Sequence, residues 1–470
     1  MAADVPTTKA PPEASTNAAP QPTTCGSVVD FLSTDCPLTW YGITLYGTVD
    51  AGVTWESHGA PFNGTSAVGA AYLIQKYSNH AQWSLAPNGL SNSNIGVKGN
   101  EPFAPGWAFV FDLEAGFDPY SLEFSNGPHS VAQEAGVPLT EANSYADSSR
   151  AGQFYNSVGY LGVSSPYGTL TVFRQNSLTL DAVFAYDPLN ASYAFSPIGW
   201  QGITCGAGDT EDCRFTTSLK YRGQFGQFRV AGLWQFGGYG LNNASTGAYQ
   251  LQLGGDIPNL AGGTLSLDAI GSYVQNAVSV GLAGNTLPAV LPQVLTATLS
   301  DDTSLMLVGK YTNGPVTVFG GYEGIRYAPP SNPYAPGAGF SDISGDFVCA
   351  GCAAFNNTNI NNTAYNAGDK ILNVFWTGVK YAVSTNVNLI GAYYHYDQPT
   401  YGAPTNCSNA SSSATCHGTF DAVSFVADWQ FQKKFDAYAG LMFSEVNGGL
   451  ANGYLSHSTI DPTVGLRFRF

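Results

Sequence analysis

From residue 41 onward, apolar and polar residues alternate along the chain with a period of two. In the first such segment Ile43, Leu45 and Val49 occupy one side, whereas Thr48 and Asp50 occupy the other. A period of two is the spacing of a β-strand, whose successive side chains point to opposite faces. In the clearest segments the apolar side carries no Lys, Arg, Asp or Glu. The pattern therefore predicts an all-β protein whose strands have one uncharged and one polar face.

The connections between these strands alternate between short and long. The seven short ones are turns rich in Gly, Pro or Asn, at 100–106, 164–168, 223–226, 254–263, 313–315, 382–385 and 432–434. The eight long ones cover roughly 56–92, 118–152, 175–213, 237–248, 275–303, 327–370, 397–418 and 446–459. Fifteen connections imply 16 antiparallel strands running up and down. Short periplasmic turns, long external loops and an even strand number are typical of a transmembrane β-barrel, and a soluble sandwich has no reason to segregate its loops.

The composition agrees with a barrel and excludes several other classes. Charged residues make up 11% of the chain, and no apolar stretch is long enough for a membrane-spanning helix. Aromatic residues reach 13%, which excludes a disordered chain. The net charge of −16 argues against a nucleic-acid partner.

Eight cysteines lie in four close pairs, which fits an oxidising compartment such as the periplasm or the cell surface. The pairs are Cys25 with Cys36, Cys205 with Cys213, Cys349 with Cys352, and Cys407 with Cys416. Joining near neighbours would give four disulfides, although sequence alone leaves the connectivity open. A metal site is a weaker interpretation of these cysteines. Only Cys349 and Cys352 have the short spacing of zinc ligands, and no further ligands accompany them. No metal is expected.

The chain divides into two parts of different composition. Residues 1–40 are rich in Ala and Pro and are interpreted as a periplasmic extension with a Cys25–Cys36 staple, and residues 41–470 as the barrel. Neither part contains a Gly-x-Ser-x-Gly element, a phosphate-binding loop or a His-Glu-x-x-His motif. The protein is therefore not expected to be an enzyme or to need a cofactor.

Several segments resemble the Gram-negative general porins. The first strand, ITLYGTVDAG at 43–52, resembles the opening strand of that family, and GTLTVFRQ at 168–175 resembles the strand before its constriction loop. KKFDAYAG at 433–440, followed by VNGG at 446–449, looks like the penultimate strand and loop. The closing VGLRFRF at 464–470 is similar to the last strand, with its terminal aromatic residue. The match covers about residues 41–470.

The resemblance implies a homotrimeric barrel in the outer membrane, surrounded by lipid and lipopolysaccharide, that passes small hydrophilic solutes. Its third loop would fold into the lumen, and in the family acids on this loop face basic residues on the wall. Residues 175–213 are the candidate loop, with Asp181 and Asp187 as its first acids.

The parity of a residue, meaning its odd or even position along the strand, decides which face it occupies. This parity selects the charged residues expected on the pore wall. They are Lys98, Asp112, Glu114, Arg214, Lys220, Arg222, Arg229, Arg467 and Arg469. Arg174 has the parity of Leu170 and Val172 on the apolar face, unless the strand has ended or a β-bulge turns it inward. The resemblance favours an inward Arg174.

The sequence as a whole predicts a water-filled outer-membrane channel for passive diffusion of small solutes and ions. One alternative is a barrel selective for a sugar or small anion, since the aromatic segment 186–200 would also suit sugar stacking. Another is a structural or adhesive protein linked to the cell wall through residues 1–40. The total charge favours cations if loop acids dominate the mouth, whereas the basic residues Arg214, Lys220 and Arg222 favour anions at the narrowest point. A preference for cations is expected.

Overall fold

The computed structural model describes residues 25–61, 72–122, 155, 157–198, 214–236, 247–283, 294–331, 360–361, 368–402, 407–408 and 413–470. Over these residues the strands are β1 (Leu38–Trp40), β2 (Ile43–Gly59), β3 (His80–Pro87), β4 (Ser93–Ala104), β5 (Trp107–Phe117), β6 (Val158–Ser165), β7 (Gly168–Asn176), β8 (Arg214–Phe225), β9 (Phe228–Gln235), β10 (Gly247–Leu260), β11 (Gly263–Ala283), β12 (Val294–Asn313), β13 (Val316–Ala328), β14 (Ile360–Asn361), β15 (Lys370–Ser384), β16 (Val387–Gln398), β17 (Gly418–Gln432), β18 (Phe435–Gly448) and β19 (Ser458–Arg469). The α-helices are α1 (Val28–Ser33) and α2 (Leu178–Tyr186), and a 3₁₀ turn covers Gly449–Ala451. No helix of these residues is long and apolar enough to cross a membrane.

The sheet closes on itself into a barrel. Neighbouring spanning strands pair antiparallel, and β19 returns to pair with β2, with Thr463 opposite Thr54 and Arg469 opposite Thr48. The short β14 pairs in parallel with β12. Both β3 and β4 pair with β2, so they form one spanning strand interrupted at 88–92. Setting aside the short β1 and β14, the described residues form 16 spanning strands. The predicted fold class is confirmed.

The two ends of the barrel differ in the length of their connections. At one end all seven links contain two residues, and those at Gly106, Gly226, Gly262 and Gly314 use a positive φ that glycine tolerates best. The turns predicted from the sequence were therefore longer than the observed ones. The predicted loop 56–92 contains β3, and most of the predicted loop 275–303 is strand, because β11 and β12 have 21 and 20 residues. Beyond the bilayer both faces of a strand can meet water, so the pairing continues where the alternation fades.

The uncharged faces of the strands form the outer surface of the barrel. Leu466 is 60% exposed, and Val49, Val53 and Phe425 on other strands are also exposed outward. Alternate residues such as Arg467 point inward and are buried. An apolar exterior is what a barrel needs in a bilayer, where every strand must be paired.

Phe215 is an exception to the predicted faces. It stands at alternate positions with Leu219 and Tyr221, which by itself predicts the apolar outer face, but it is fully buried inside the barrel. Thr217 has a φ of +50°, and the pairing of β8 with β7 skips a residue beside it. This β-bulge reverses the parity of the strand beyond it.

The inner wall carries more apolar side chains along one half of the barrel than along the other. From β11 to β18 many of the inward side chains belong to one apolar cluster, which includes Ile270, Met306, Val374 and Met442, although acids such as Asp268 also point inward from these strands. The segment after β7 enters the barrel and packs against this half. The expectation of a polar inner face on every strand is therefore corrected, because these strands face protein rather than water.

Two of the four expected disulfides lie within the described residues, and both are present. They join Cys25 to Cys36 and Cys407 to Cys416. The first closes the segment that holds α1, directly before β1.

The other two expected disulfides lie outside the described residues. Neither Cys205 nor Cys213 is described, and the same holds for Cys349 and Cys352. The pairing of Cys205 with Cys213, and that of Cys349 with Cys352, therefore stay predictions from the sequence.

Candidate channel constriction

The segment that enters the barrel begins with a capped helix. Ser177 is the N-cap of α2, and its Oγ accepts a hydrogen bond from the Leu180 backbone N–H at 3.0 Å. Most residues of α2 are buried, including Leu178, Val183 and Phe184. A helix that is apolar on nearly all sides is stable only inside a protein. This segment, residues 177–198, is called the inserted loop below.

Hydrogen bonds from the wall hold both ends of α2. At its start, the Leu178 N–H donates to Gln250 Oε1 at 2.6 Å. At its end, Trp376 Nε1 donates to the Tyr186 carbonyl at 3.2 Å, and the Tyr186 hydroxyl donates to Asp268. The helix is thereby fixed to β10, β11 and β15.

Asp187 anchors the inserted loop and does not face the open lumen. It is fully buried, its Oδ1 accepts from the Tyr394 hydroxyl at 2.7 Å, and its Oδ2 accepts from the Ala191 N–H at 2.6 Å. Burial raises the pKa of Asp187 to about 6, against the opposing effect of these hydrogen bonds.

The rest of the inserted loop crosses to the far wall. The Ala194 N–H donates to the Gly89 carbonyl at 2.9 Å, and Ser424 Oγ donates to the Phe195 carbonyl at 2.6 Å. Tyr193 and Phe195 are buried, as is Tyr186, so these rings offer no free face for sugar stacking. Trp200 lies outside the described residues.

Asp181 is the acid of α2 that meets the basic wall. It forms ion pairs with Lys220 and Arg222 of β8, and Asn176 Nδ2 donates to its Oδ1 at 3.3 Å. Burial opposes its charge, but Arg222 and Lys220 outweigh this effect and hold the pKa of Asp181 below its ordinary value. Acid and base are thus in direct contact rather than separated across the aperture.

Arg174 points into the barrel because of a bulge in β7. Phe173 has a φ of +84° and is exposed on the outer surface, and the pairing with β8 shifts register beside it. Arg174 is consequently buried inside, where its Nη1 donates to the Arg214 carbonyl at 3.5 Å. Arg214 is also buried in the interior.

The acids of β5 are held by a tyrosine. The Tyr46 hydroxyl lies 2.5 Å from Asp112 Oδ1 and 3.1 Å from Glu114 Oε2. Ser157 Oγ also donates to Glu114 at 2.5 Å. Lys98 Nζ lies 4.7 Å from the centre of the Tyr46 ring and its side chain is exposed.

The remaining predicted bases form ion pairs along the wall. Arg229 contacts Asp256 at 2.6 Å and Asp268 at 3.1 Å. The other two predicted bases share Asp436, which lies 2.8 Å from Arg467 and 3.0 Å from Arg469. The predicted bases that form ion pairs on the wall thus fall in three groups rather than in one ring.

In three of these ion pairs, one from each group of bases, the basic side chain and the acidic side chain differ in exposure. The side chains of Arg222, Arg469 and Arg229 are 39%, 32% and 20% exposed. Their acidic partners Asp181, Asp436 and Asp268 are 13%, 1% and 3% exposed. The second partner of Arg229, Asp256, differs from these acids and is 36% exposed. In the first three pairs the base is therefore more accessible to solutes than the acid.

Several acids of this wall were missed from the sequence, including Asp256, the second partner of Arg229. Asp268 and Asp436 hold the arginines described above, and Asp50 accepts from the Tyr438 hydroxyl at 2.7 Å. All three have inward parity, which was a usable signal, but parity does not say which acids are buried. No group of three or more His, Cys, Asp or Glu in the described part of the chain is arranged to hold a metal ion.

Comparison with known proteins gives one family and a set of related folds. The family model described as Gram-negative porin matches residues 14–449. No curated protein matches. An anion-selective porin from Comamonas acidovorans is 16% identical, covers 91% of this chain and 99% of its own, and superposes with a TM-score of 0.57.

Two structures of OmpT, an outer membrane protein of Vibrio cholerae, are similar in fold. The first is 14% identical, covers 92% of this chain and 99% of its own, and has a TM-score of 0.54. A trimer form is 12% identical, covers 91% and 99%, and has a TM-score of 0.53.

Proposed function

The chain belongs to the Gram-negative porin family, and from this premise we propose that its constriction favours anionic solutes. Membership in the family and the closed barrel of 16 strands make the protein an outer-membrane channel for passive diffusion. The family and fold are those of a channel rather than an enzyme.

The observation that carries the proposal is the unequal exposure of paired charges on the wall. Arg222, Arg229 and Arg469 are each more exposed to passing ions than one acidic partner, although Asp256, the second partner of Arg229, is more exposed than that base. Ion preference in a channel is set by accessible charge at the narrow part rather than by total charge. This reverses the cation preference expected from the net charge of −16. The anion selectivity of the Comamonas acidovorans porin, which shares the fold, is consistent with it.

Reversal potential under a tenfold KCl gradient tests this proposal. We expect the sign that indicates chloride preference. Replacing Arg222 with Gln is expected to lower the permeability ratio about threefold, since one charge at about 7 Å in water is equivalent to roughly 0.6 kcal/mol. Arg326→Gln is the matched control, because Arg326 pairs with Asp369 on the outer surface and is expected to leave the ratio unchanged. Cation preference of the unaltered channel would refute the proposal.

We also propose that the barrel assembles as a homotrimer through the face formed by β5, β6 and β7. Strands β6, β7 and β9 have only eight, nine and eight residues. Eight residues in a strand tilted by about 40° rise roughly 20 Å, less than the apolar band of about 25 Å that a lipid-facing wall presents. An outward groove on this low side is lined by Phe109, Phe111, Leu113, Leu161 and Phe173. A second copy would cover it, while lipid and lipopolysaccharide would surround the taller walls.

Native mass spectrometry of the protein in detergent tests the assembly. The unaltered chain is expected to give trimers, and Leu161→Arg folded monomers. Leu389→Arg, at an outward leucine of β16, is the control that should remain trimeric. A monomeric unaltered protein, or a trimeric Leu161→Arg variant, would contradict this assignment of the interface.

A further inference from the structure

The segment before the first spanning strand is folded and fixed to the barrel rim. The Cys25–Cys36 disulfide closes it around α1, and Ser27 Oγ caps that helix by accepting from the Asp30 N–H at 3.0 Å. After it, β1 pairs antiparallel with the start of β2. Residues 25–40 are called the stapled segment below.

Contacts place the stapled segment at the end of the barrel with short turns. Lys434, in the two-residue turn between β17 and β18, donates from Nζ to the Cys36 carbonyl at 3.1 Å. The same ammonium lies 4.1 Å from the centre of the Phe31 ring. Lys433 pairs with Asp35 at 3.4 Å. In a porin this end of the barrel is the periplasmic one.

The same contacts place α1 against the outer face of the wall rather than under the lumen. The Phe31 ring meets Phe468 edge to face, with centroids 6.2 Å apart. Phe468 has the outward parity of the exposed Leu466, and it stacks on Phe435, which in turn stacks on the exposed Phe431. These three rings belong to the aromatic girdle that porins place at the level of the lipid headgroups.

The surface that the stapled segment leaves uncovered is apolar and aromatic. Val28 is 73% exposed, Val29 75% and Trp40 73%, and Tyr41, directly after the segment, is 82% exposed. Charge cannot draw this surface to a membrane, since residues 25–40 contain two Asp and no Lys, Arg or His. An apolar surface continuous with a lipid-facing girdle is suited to insertion at the headgroup and acyl boundary.

We propose that the stapled segment is a membrane foot, in which Val28, Val29 and Trp40 insert into the periplasmic leaflet beside the barrel. The occupant of the surface is lipid rather than a protein partner, because the segment continues the lipid-facing wall at Phe468. Insertion is apolar in origin, so zwitterionic lipid suffices and salt has little effect. The disulfide keeps α1 in position on the wall.

Photo-crosslinking of the full-length chain in dioleoylphosphatidylcholine vesicles tests the membrane foot. A benzophenone amino acid at the position of Val29 should form a lipid adduct with a yield close to that at Leu466, the lipid-facing control. The same label at Asn100, exposed on the inner side of β4, should give none. A chain-to-chain adduct at Val29 would overturn the proposal in favour of a second copy, and labelling at Leu466 alone would overturn it outright.

Fluorescence provides a second readout that does not depend on the label. The fluorescence of Trp40 is obtained by subtracting the emission of the Trp40→Phe variant from that of the unaltered chain. In vesicles of phosphatidylcholine brominated near the headgroup end of the acyl chains, this Trp40 fluorescence should be strongly quenched, to the same extent at 50 mM and 500 mM KCl. A Trp40 signal that brominated lipid does not quench, but aqueous acrylamide does, would refute insertion.

Discussion

The inner wall from β11 to β18 supplies most of the apolar cluster against which the inserted loop packs, whereas the predicted wall arginines stand on β7 to β9 and on β19. Both halves belong to one sheet with one alternation of side chains. They differ in what they face, because the first half is covered by α2 and the second borders the route of the solutes. The closed barrel therefore fixes which residues point inward, and the inserted loop decides which of those meet water.

Introducing a charge where α2 meets the apolar half should have the largest effect. Val183 is fully buried in this contact, and Val183→Asp would place an unpaired carboxylate there at a cost of several kcal/mol. We expect the inserted loop to leave the wall and single-channel conductance to rise. Val183→Ala removes packing without adding charge and should change conductance much less. Unchanged conductance in the Asp variant would show that the loop does not narrow the channel.

On the charged half, removing the acid of α2 should sharpen selectivity. Asp181→Asn leaves Lys220 and Arg222 without their shared counter-ion. The anion-to-cation permeability ratio, measured from reversal potentials, is expected to rise about threefold. Asp369→Asn is the matched control, because it breaks an Arg–Asp pair on the outer surface. An equal change in both variants would mean that the effect is not local to the constriction.

The smallest expected effect is that the docking of the inserted loop on the wall depends on pH, because Asp187 in this loop can titrate. Its pKa is raised from 3.8 to about 6 in the folded protein, so its proton is bound more tightly when the loop is docked. Docking should be firmest below about pH 4, weaken as the pH rises to 6 by about 3 kcal/mol at most, and then stay constant.

Open-channel current noise between pH 4 and pH 8 measures this dependence. Noise is expected to rise over that range in the unaltered channel. Asp187→Asn, which cannot titrate, should have a flat profile, although it loses the acceptor for the Ala191 N–H. Identical profiles for the two proteins would exclude Asp187 as the titrating group.

Much of the barrel was predictable from the sequence because alternation and turn chemistry are local. The strands that carry Ile43, Phe109 and Leu466 were recognisable from their apolar faces alone. The alternation misleads at Phe215 because a bulge at Thr217, visible only in the pairing of β8 with β7, turns this ring inward. The extra length of β11 and β12 was missed because strands outside the bilayer lose the pattern while keeping their hydrogen bonds.

The candidate site was predictable to a smaller degree. Parity and resemblance selected Asp181, Lys220 and Arg222, which the structure brings into contact. They also selected Asp187, whose burial and pairing with Tyr394 depend on residues more than 200 positions apart in the chain. No local pattern distinguishes an acid that lines a pore from one that anchors a loop.

The sequence by itself determined the closed all-β architecture, since the period of two and the one-sided loops leave a chain of paired strands few other ways to satisfy its backbone and hide its apolar face. Only the tertiary structure decided how the interior is divided between a loop-covered apolar half and a charged half. Burial and ion pairing arise from contacts across the barrel, and such contacts leave no periodic trace along the chain.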